Sequence, residues 1–234
     1  MCPRWQCRSA TMENGMHTDR QCPGVVVVID DDQTVRDAIC SVLGDVGYDV
    51  RAFSSPAECR QAFPSDVPTC VLVDLVLPGV TGLRFCEQVQ SLPNVACVII
   101  SGHGDVRSAV RAMKLGAVDF LEKPFSREAL LDAVHNALNH ASHRYLESKE
   151  EEVIGARVDS LSPREREIFD LLGQGLATKE IARHLGISRR TVDVHRSNIA
   201  RKLGVESPTQ LAYTMFVVRR RNLRDQPLTT TNVP

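Results

Sequence analysis

Several residues in the first half of the chain carry chemically active side chains and stand at or just beyond the ends of short apolar runs. They are Asp30, Asp31, Asp32, Asp74, Ser101 and Lys123. If the runs are parallel strands, their carboxyl ends share one edge of the sheet, and these residues meet in one acidic pocket with a single ammonium group. Packing like charges is unfavourable unless a cation binds, and a hard divalent ion such as Mg2+ prefers oxygen ligands. The pattern therefore predicts a site where a divalent ion and a phosphate meet.

Two other interpretations of the acidic triplet need weighing. Such a triplet at a strand end is, by itself, more often a solvated loop than a metal site. The spacing of Asp30, Asp32 and Thr34 also fits the opening motif of haloacid-dehalogenase-type phosphatases, in which the first Asp is the nucleophile. Those enzymes need a further acidic pair beyond the lysine, whereas Glu128 and Asp132 lie on a predicted helix rather than at a strand end. Asp74 and Lys123, which stand in register with the triplet, favour the metal site.

The elements that must position these residues follow from hydrophobic periodicity. From Val25 onward, short apolar runs that suit buried strands alternate with runs whose apolar residues recur at helical spacing. The predicted strands are 25–29, 48–53, 70–73, 95–100 and 118–121, and the predicted helices are 35–46, 56–63, 83–92, 106–115 and 127 to about 141. Five strands alternating with five helices predict an α/β domain with a five-stranded, doubly wound parallel sheet of the flavodoxin-like type.

Four stretches around the pocket carry a family resemblance: VIDDD at 28–32, VDLVLPGVTG at 73–82, IISGHG at 99–104 and DFLEKPF at 119–125. In order and in position at strand ends they resemble the motifs of the receiver domain of two-component systems, whose fold is CheY-like. The resemblance is strongest to regulators of the FixJ type and covers nearly the whole chain after Gly24. It implies that Asp74 takes a phosphoryl group from a sensor histidine kinase and becomes an acyl phosphate.

The resemblance also implies a set of Mg2+ ligands, namely the carboxylates of Asp30, Asp31 and Asp74 and the backbone carbonyl of Val76. Asp31 is preferred over Asp32 because it stands five residues before Arg36, which is the family spacing. Mg2+ held in this way would neutralise the charge that develops during phosphoryl transfer.

The resemblance assigns the switch to Ser101, Phe120 and Lys123. Lys123 would pair with one phosphoryl oxygen and Ser101 would hydrogen-bond another, and the inward movement of Ser101 would leave space for Phe120 to rotate inward. This rotation reshapes the face made by the fourth helix and the fifth strand, through which such receivers usually form homodimers. The peptide bond between Lys123 and Pro124 is often cis in the family.

The rest of the chain divides into four segments around this domain. Residues 1–22 show no periodicity and predict a disordered extension, before a receiver domain at 23–142. Residues 143–159 are polar and acidic and predict a linker with a helical start. Residues 160–222 predict a helical domain, and residues 223–234 a fraying tail.

The second half of the chain is basic, although the net charge of the whole is only -1. Residues 23–159 hold 12 Lys and Arg against 20 Asp and Glu, whereas residues 160–224 hold 13 against 6. Such an excess of positive charge is expected of a domain that meets phosphates. The four predicted helices begin at Pro163, Thr178, Arg189 and Pro208 and end near residues 172, 185, 203 and 219.

Three stretches of this basic half resemble the LuxR/NarL-type helix-turn-helix: LSPRERE at 161–167, TKEIARHLGISRRTVDVHR at 178–196 and IARKLG at 199–204. The resemblance implies that the helix after Ser188 enters the major groove of double-stranded DNA, with Val192, Ile199 and Leu203 facing inward. The expected DNA-binding residues are Lys179, Arg189, Arg190, Thr191, Val194, His195, Ser197, Arg201 and Lys202.

Within this set the expected contacts differ by side-chain chemistry. Val194 can contact a thymine methyl group and Ser197 either type of base. The residues expected to hold phosphates are Lys179, Arg189, Arg190, Thr191 and Arg201. Asp193 faces the same way and must accept from cytosine or stay outside the groove. A solvated face is the alternative for each basic residue, and a core-edge position is the alternative for His195.

These features predict a transcription regulator rather than an enzyme, in which phosphorylation of the receiver controls dimerisation and DNA binding, with RNA polymerase as a further partner. A rival of another class is an interaction module or phosphate sink whose second domain binds a protein. No apolar run approaches the roughly 18 residues of a membrane span, so we expect a cytoplasmic protein without a membrane partner.

The cysteines are a further feature that could carry chemistry. The eight residues are scattered, with no CxxC pair and no histidine at metal-ligand spacing. Reduced thiols are therefore expected rather than a disulfide framework, with redox or metal sensing as the alternative.

Overall fold

The computed structural model of the chain describes residues 24–59, 63–102 and 106–225, in two units divided between Leu146 and Glu147. The first unit contains the strands β1 (Val25–Ile29), β2 (Asp49–Phe53), β3 (Thr69–Asp74), β4 (Val95–Ser101) and β5 (Ala117–Glu122), and the helices α1 (Gln33–Val46), α2 (Gly82–Val89) and α3 (Val106–Lys114). Helix α4 (Arg127–Asp159) begins in the first unit and ends in the second.

The five strands form one parallel sheet in the order β2-β1-β3-β4-β5. Strand β1 is paired on both sides, so that Ile29 is in register with Phe53 of β2 and with Val73 of β3. This sheet confirms the predicted doubly wound α/β fold. The strand order reverses between β1 and β3, and the residues beyond the carboxyl ends of these strands line the crevice where ligands bind in such sheets.

Both faces of the sheet are covered, which explains why the central strands are apolar throughout. Val25, Val27 and Ile29 pack against residues of α2 and α3, whereas Val26 and Val28 pack against α1 and α4. All five side chains are buried, and burying a valine or isoleucine contributes about 1.5–3 kcal/mol. This packing holds β1 in register and so fixes the position of the residue that follows it.

The described part of the segment 56–63 does not form the predicted helix. Pro56 to Cys59 form turns, and residues 60–62 lie outside the described ranges. The carboxylate of Glu58 accepts hydrogen bonds from the hydroxyls of Ser54 at 2.8 Å and Ser55 at 3.2 Å. The Glu58 N–H also donates to the Ser55 carbonyl at 3.3 Å, so these contacts hold residues 54–58 in a turn.

The predicted linker at 143–159 is helical throughout, because α4 runs without a break to Asp159. The segment has no proline and is rich in Glu, Arg and Lys, which have high helix propensity. Lys149 and Glu152 add an ion pair of 2.9 Å along the helix. The division between the two units falls inside this helical segment.

The second unit contains four further helices, α5 (Pro163–Gly173), α6 (Thr178–Leu185), α7 (Arg189–Leu203) and α8 (Pro208–Asp225). Helix α5 begins as its sequence predicts: the hydroxyl of Ser162 accepts a hydrogen bond from the Glu165 N–H, and the Glu165 carboxylate accepts one from the Ser162 N–H. Helix α7 begins with a similar cap, since the Ser188 hydroxyl accepts from the Thr191 N–H. The predicted helices of this half are thus present.

The boundaries of the second unit differ from the predicted ones. Val158 of α4 and Leu161 belong to the same buried cluster as Ile168, Ile181 and Ile199, so the folded unit begins before residue 160. Helix α8 continues to Asp225, beyond its predicted end near 219 and into the predicted tail. The predicted extension at 1–22 and residues 226–234 of the tail lie outside the described ranges.

None of the helices described between residues 24 and 225 has the length and apolar character that crossing a membrane requires.

Candidate functional site

The acidic pocket lies at the carboxyl edge of the sheet, where β1 and β3 end. Asp30 follows β1 directly and Asp74 is the last residue of β3; both are buried, with 1% and 8% of their surfaces exposed. Asp31 is exposed beside them, and carboxylate oxygens of the three residues lie within 4.8 Å of one another. The structure therefore brings together the three carboxylates that the sequence predicts to meet.

Lys123 completes the pocket from beyond the end of β5. Its ammonium donates a hydrogen bond to Asp30 Oδ2 at 2.6 Å and another to Asp74 Oδ2. Its backbone N–H donates to the carbonyl of Ser101 at 2.7 Å, which fixes the turn after β5 against the end of β4. The peptide bond between Lys123 and Pro124 is cis, as the resemblance suggests.

Burial and hydrogen bonding together shift the pKa values of Asp30 and Lys123. Burial raises the pKa of Asp30, and the hydrogen bond from Lys123 only partly offsets it. For Lys123, burial lowers the pKa, but the hydrogen bonds to Asp30 and Asp74 outweigh this and raise it overall. Lys123 is therefore a fixed positive charge inside the pocket at neutral pH.

The remaining oxygens of the two buried carboxylates are held by backbone groups. Asp74 Oδ1 accepts a hydrogen bond from the Val76 N–H at 2.9 Å, and Asp30 Oδ1 accepts one from the Asp32 N–H at 2.9 Å. Arg36 donates to the Asp30 carbonyl at 2.7 Å and so anchors the loop between β1 and α1. The carboxylate of Asp74 is consequently held in one orientation before any ligand arrives.

The structure distinguishes Asp31 from Asp32 as the third carboxylate. Asp32 caps α1, since its Oδ1 accepts a hydrogen bond from the Thr34 N–H at 2.8 Å, and this bond lowers its pKa. It therefore serves the helix, whereas Asp31 joins the cluster. Glu128 and Asp132, the acidic pair considered for a phosphatase, are exposed on α4.

The donor set fits a hard divalent ion. Three carboxylates face a single ammonium group, which leaves an excess of negative charge that a divalent cation can neutralise. Val76 stands in the turn after β3 with an exposed side chain, two residues from Asp74. Because all of these groups are oxygen ligands, the pocket suits Mg2+ better than a softer metal.

Ser101 and Phe120 occupy the positions expected of a switch beside this pocket. Ser101 is the last residue of β4 and is 1% exposed. Phe120 lies on β5, half-buried against the core cluster that contains Val73 and Ile99. Ser101 is joined to the pocket because its carbonyl accepts from the Lys123 N–H, and Phe120 stands on the neighbouring strand at that edge of the sheet.

Sequence reasoning missed the importance of Gly82, the first residue of α2. It is buried, its N–H donates to the Leu75 carbonyl at 3.1 Å, and a Cβ at this position would collide with the carbonyl oxygen of Asp74. A glycine is often required where the backbone closely approaches another group, and that is the signal that the sequence offered.

A second candidate surface lies on α7 in the other unit. Val192, Ile199 and Leu203 are buried, as predicted, and the opposite side of the helix is exposed. That exposed side carries six of the expected DNA-binding residues, which are Arg189, Arg190, Thr191, Val194, Ser197 and Arg201. Asp193 is exposed beside them, and Lys179 is exposed on α6.

The helices α6 and α7 are joined as a helix-turn-helix. Gly186 ends α6 in the left-handed conformation with φ of 63°, and the Ser188 cap starts α7 two residues later. Arg196 of α7 donates to the hydroxyl of Thr178 at 2.6 Å, which ties the middle of α7 to the start of α6. The exposed side of α7 is therefore presented by a supported helix.

Two expected DNA-binding residues, His195 and Lys202, interact with the rest of their own domain, the first by partial burial and the second by an ion pair. His195 is half-buried, and its buried Nδ1 has no hydrogen-bond partner among the described residues. The ammonium of Lys202 lies 2.6 Å from the carboxylate of Glu165, which is buried. His195 is therefore not part of the exposed set on α7, whereas Lys202 is exposed but paired with Glu165.

Comparison with known proteins gives a consistent result. Residues 26–135 match the response regulator receiver domain, and residues 159–215 match the bacterial regulatory proteins of the luxR family. The chain is 35% identical to nodulation protein W of Bradyrhizobium diazoefficiens over 84% of its length and 87% of that protein. It is 38% identical to the transcriptional regulatory protein FixJ of Azorhizobium caulinodans over 80% of its length and 89% of that protein. The solved structure of the response regulator StyR is 34% identical and superposes with a TM-score of 0.67, covering 84% of this chain and 98% of that chain.

Proposed function

Because the chain belongs to the FixJ-like transcriptional response regulators, in which a receiver domain precedes a LuxR-type DNA-binding domain, we propose that phosphorylation of Asp74 by a sensor histidine kinase controls its binding to DNA. The chain is a transcription regulator rather than an enzyme. The observation that carries the proposal is the pairing of one lysine with two buried carboxylates beside a third, exposed one.

The proposed reaction uses the carboxylate of Asp74 as the nucleophile. One of its oxygens forms a bond to phosphorus while the bond between phosphorus and the imidazole nitrogen of the kinase breaks, which leaves an acyl phosphate on this chain. The Val76 N–H orients the carboxylate, and Lys123 moves its hydrogen bond from the carboxylate to a phosphoryl oxygen. Asp30, Asp31, Asp74 and the Val76 carbonyl would hold Mg2+, which would supply positive charge that offsets the charge developing on the phosphoryl group.

The proposed switch follows from the position of Ser101 and Phe120 on neighbouring strands. Ser101 moves inward to hydrogen-bond the new phosphoryl group, and Phe120 rotates into the space that the movement of Ser101 leaves. The surface of α3 and β5 then changes shape, and two copies of the chain associate through it. The exposed side chains of Val106, Val110 and Met113 on α3 give that surface an apolar character that suits a homodimer.

The proposed output is sequence-specific DNA binding, in which α7 enters the major groove. We propose that this takes place in the cytoplasm and that RNA polymerase is a further partner. Val194 and Ser197 contact bases, and the phosphates are held by Lys179, Arg189, Arg190, Thr191 and Arg201. The support for this assignment is the exposure of these side chains along one side of a helix whose other side is buried.

Labelling with radioactive acetyl phosphate in the presence of Mg2+ tests the site. We expect label on the full-length protein and none on Asp74→Asn. The matched control is Asp32→Asn, which removes a neighbouring carboxylate but keeps a residue that caps α1 well, and it should be labelled normally. Label that persists on Asp74→Asn and maps to Asp30 would contradict the proposal and support the phosphatase class.

A DNA-binding experiment tests the output. We expect the phosphorylated protein to select specific duplexes from a random pool, with an affinity that falls steeply as salt rises. Asp74→Ala should select them weakly. Equal selection by both proteins would remove the proposed control by the receiver, and no salt-dependent DNA binding by either would favour an interaction module whose second domain binds a protein.

A further inference from the structure

The strongest unexplained contact in the DNA-binding unit joins the beginning of α5 to the end of α7. Glu165 lies in the first turn of α5 and is 5% exposed, and no other charged residue described in this unit is buried. Its Oε2 accepts a hydrogen bond from the Lys202 ammonium at 2.6 Å and another from the Ser162 N–H at 2.8 Å. A buried carboxylate is unfavourable unless it is paired in this way.

The two residues are held from both sides. Hydrogen bonding from Lys202, followed by that from the Ser162 N–H, lowers the pKa of Glu165 to about 2, so the carboxylate is charged at neutral pH. The Lys202 ammonium also lies 3.5 Å from the carbonyl of Ser160, in the segment just before α5. The Lys202 side chain therefore spans from α7 back to the start of the domain, with 35% of its surface exposed.

The contact completes the support of α7 along its length. The Ser188 cap holds its first turn, and Arg196 ties its middle to Thr178 of α6. At its last turn, Arg157 donates to the carbonyl of Leu203 at 3.0 Å, and Lys202 reaches Glu165. Without the contact to Glu165, the end of α7 keeps the Arg157 hydrogen bond and its buried side chains but loses the ion pair that joins it to the start of α5, so we expect a small change in the direction of its exposed side chains.

We propose that Glu165 and Lys202 form a clamp that sets the orientation of α7 in the DNA groove. Lys202 is then a positioning residue, which acts through Val194 and Ser197 and makes no phosphate contact of its own. The inference rests on the proposed binding of DNA by α7. It replaces the expectation, drawn from the resemblance, that Lys202 contacts DNA directly.

The test compares Lys202→Met with Lys179→Met in the full-length protein treated with acetyl phosphate. The probes are a duplex that the wild-type protein selects from a random pool and a scrambled duplex of the same composition. Losing a phosphate contact should weaken binding to both duplexes equally and reduce the slope of log affinity against log salt concentration, the salt slope, by about 0.9. We expect this result for Lys179→Met. Losing orientation should reduce the preference for the selected duplex by about tenfold and leave the salt slope unchanged, which we expect for Lys202→Met.

Two further variants separate positioning from simple loss of folding. Lys202→Arg keeps a cation that can reach Glu165 and should retain the preference of the wild type. Glu165→Gln combined with Lys202→Met leaves no unpaired buried charge and should recover part of the stability lost in Lys202→Met, measured by thermal unfolding, but not its preference. A wild-type protein that binds no DNA would defeat the proposed function itself.

Three results would overturn the clamp while leaving that function intact. The first is a salt slope that falls in Lys202→Met as it does in Lys179→Met. The second is an unchanged preference in a folded Lys202→Met. The third is full recovery of the preference in the double variant, because the clamp is absent there.

Discussion

Mg2+ should raise the melting temperature of the receiver domain, and the rise should be much smaller when Asp31 loses its carboxylate. At a Mg2+ concentration ten times the dissociation constant, a ligand that binds only the folded state stabilises it by about 1.4 kcal/mol. The melting temperature of a domain of this size shifts by about 4 °C per kcal/mol, so the expected rise is about 6 °C. Asp31 is exposed and one of three clustered carboxylates, and its loss should weaken binding about tenfold, which leaves a rise of about 2 °C.

Differential scanning calorimetry of the full-length protein measures this effect directly, with MgCl2 compared against a chelator at constant ionic strength. Constant ionic strength is needed because salt screens the repulsion among exposed carboxylates and would stabilise the pocket without binding. Asp32→Asn is the matched control, since it removes an adjacent exposed carboxylate while the α1 cap survives, and it should keep the full rise. An undiminished rise in Asp31→Asn, or a loss of the rise in Asp32→Asn, would refute the assignment of the ligands.

Two other predictions concern the stability of each unit. The folded-state pKa of Glu165 is about 2, below its ordinary value of 4.5, so its stabilising effect is complete above pH 4.5 and is lost as pH falls toward 2. Urea unfolding across this range should therefore show a free energy of unfolding that declines more steeply for the wild type than for Glu165→Gln. Parallel curves for the two proteins would contradict the ion pair. Gly82→Ala places a Cβ against the Asp74 carbonyl and should lower the free energy of unfolding by about 2 kcal/mol. Gly44→Ala, on a helix where a Cβ meets no atom within 4 Å, should raise it by about 0.5–1 kcal/mol in the same assay, and equal effects of the two substitutions would argue against the close approach at Gly82.

The sheet and its pocket were predictable because they depend on signals that persist over several residues. A run of five β-branched residues at 25–29 can be satisfied only by burial on both faces, which requires a central strand in a parallel sheet. Once the strands are parallel, their carboxyl ends share an edge, and Asp30 must approach Asp74 and Lys123. The approach of residues 93 positions apart follows from topology rather than from any local preference.

The elements that were not predicted depend on balances that periodicity does not report. The segment 56–63 begins with the same serine, proline and glutamate pattern that starts α5, yet its described residues 56–59 form turns, and nothing in their contacts explains the difference. The segment 143–159 is polar enough for a linker, yet its charged residues are also good helix formers, and a helix already in progress needs no new nucleation to continue. In the second segment a small local preference therefore decides the outcome.

Lys179 and Lys202 show why charge alone does not identify a DNA contact. Both are exposed on helices of the basic domain, and both belong to the DNA-binding set that the resemblance implies. No ion pair is described for Lys179, whereas the Lys202 ammonium lies 2.6 Å from the carboxylate of Glu165, which stands 37 positions away in the chain and is buried. Releasing Lys202 to a phosphate would leave that carboxylate with the Ser162 N–H as its remaining described partner, which is unfavourable for a buried charge. The partner that the fold supplies therefore decides which lysine is available to DNA.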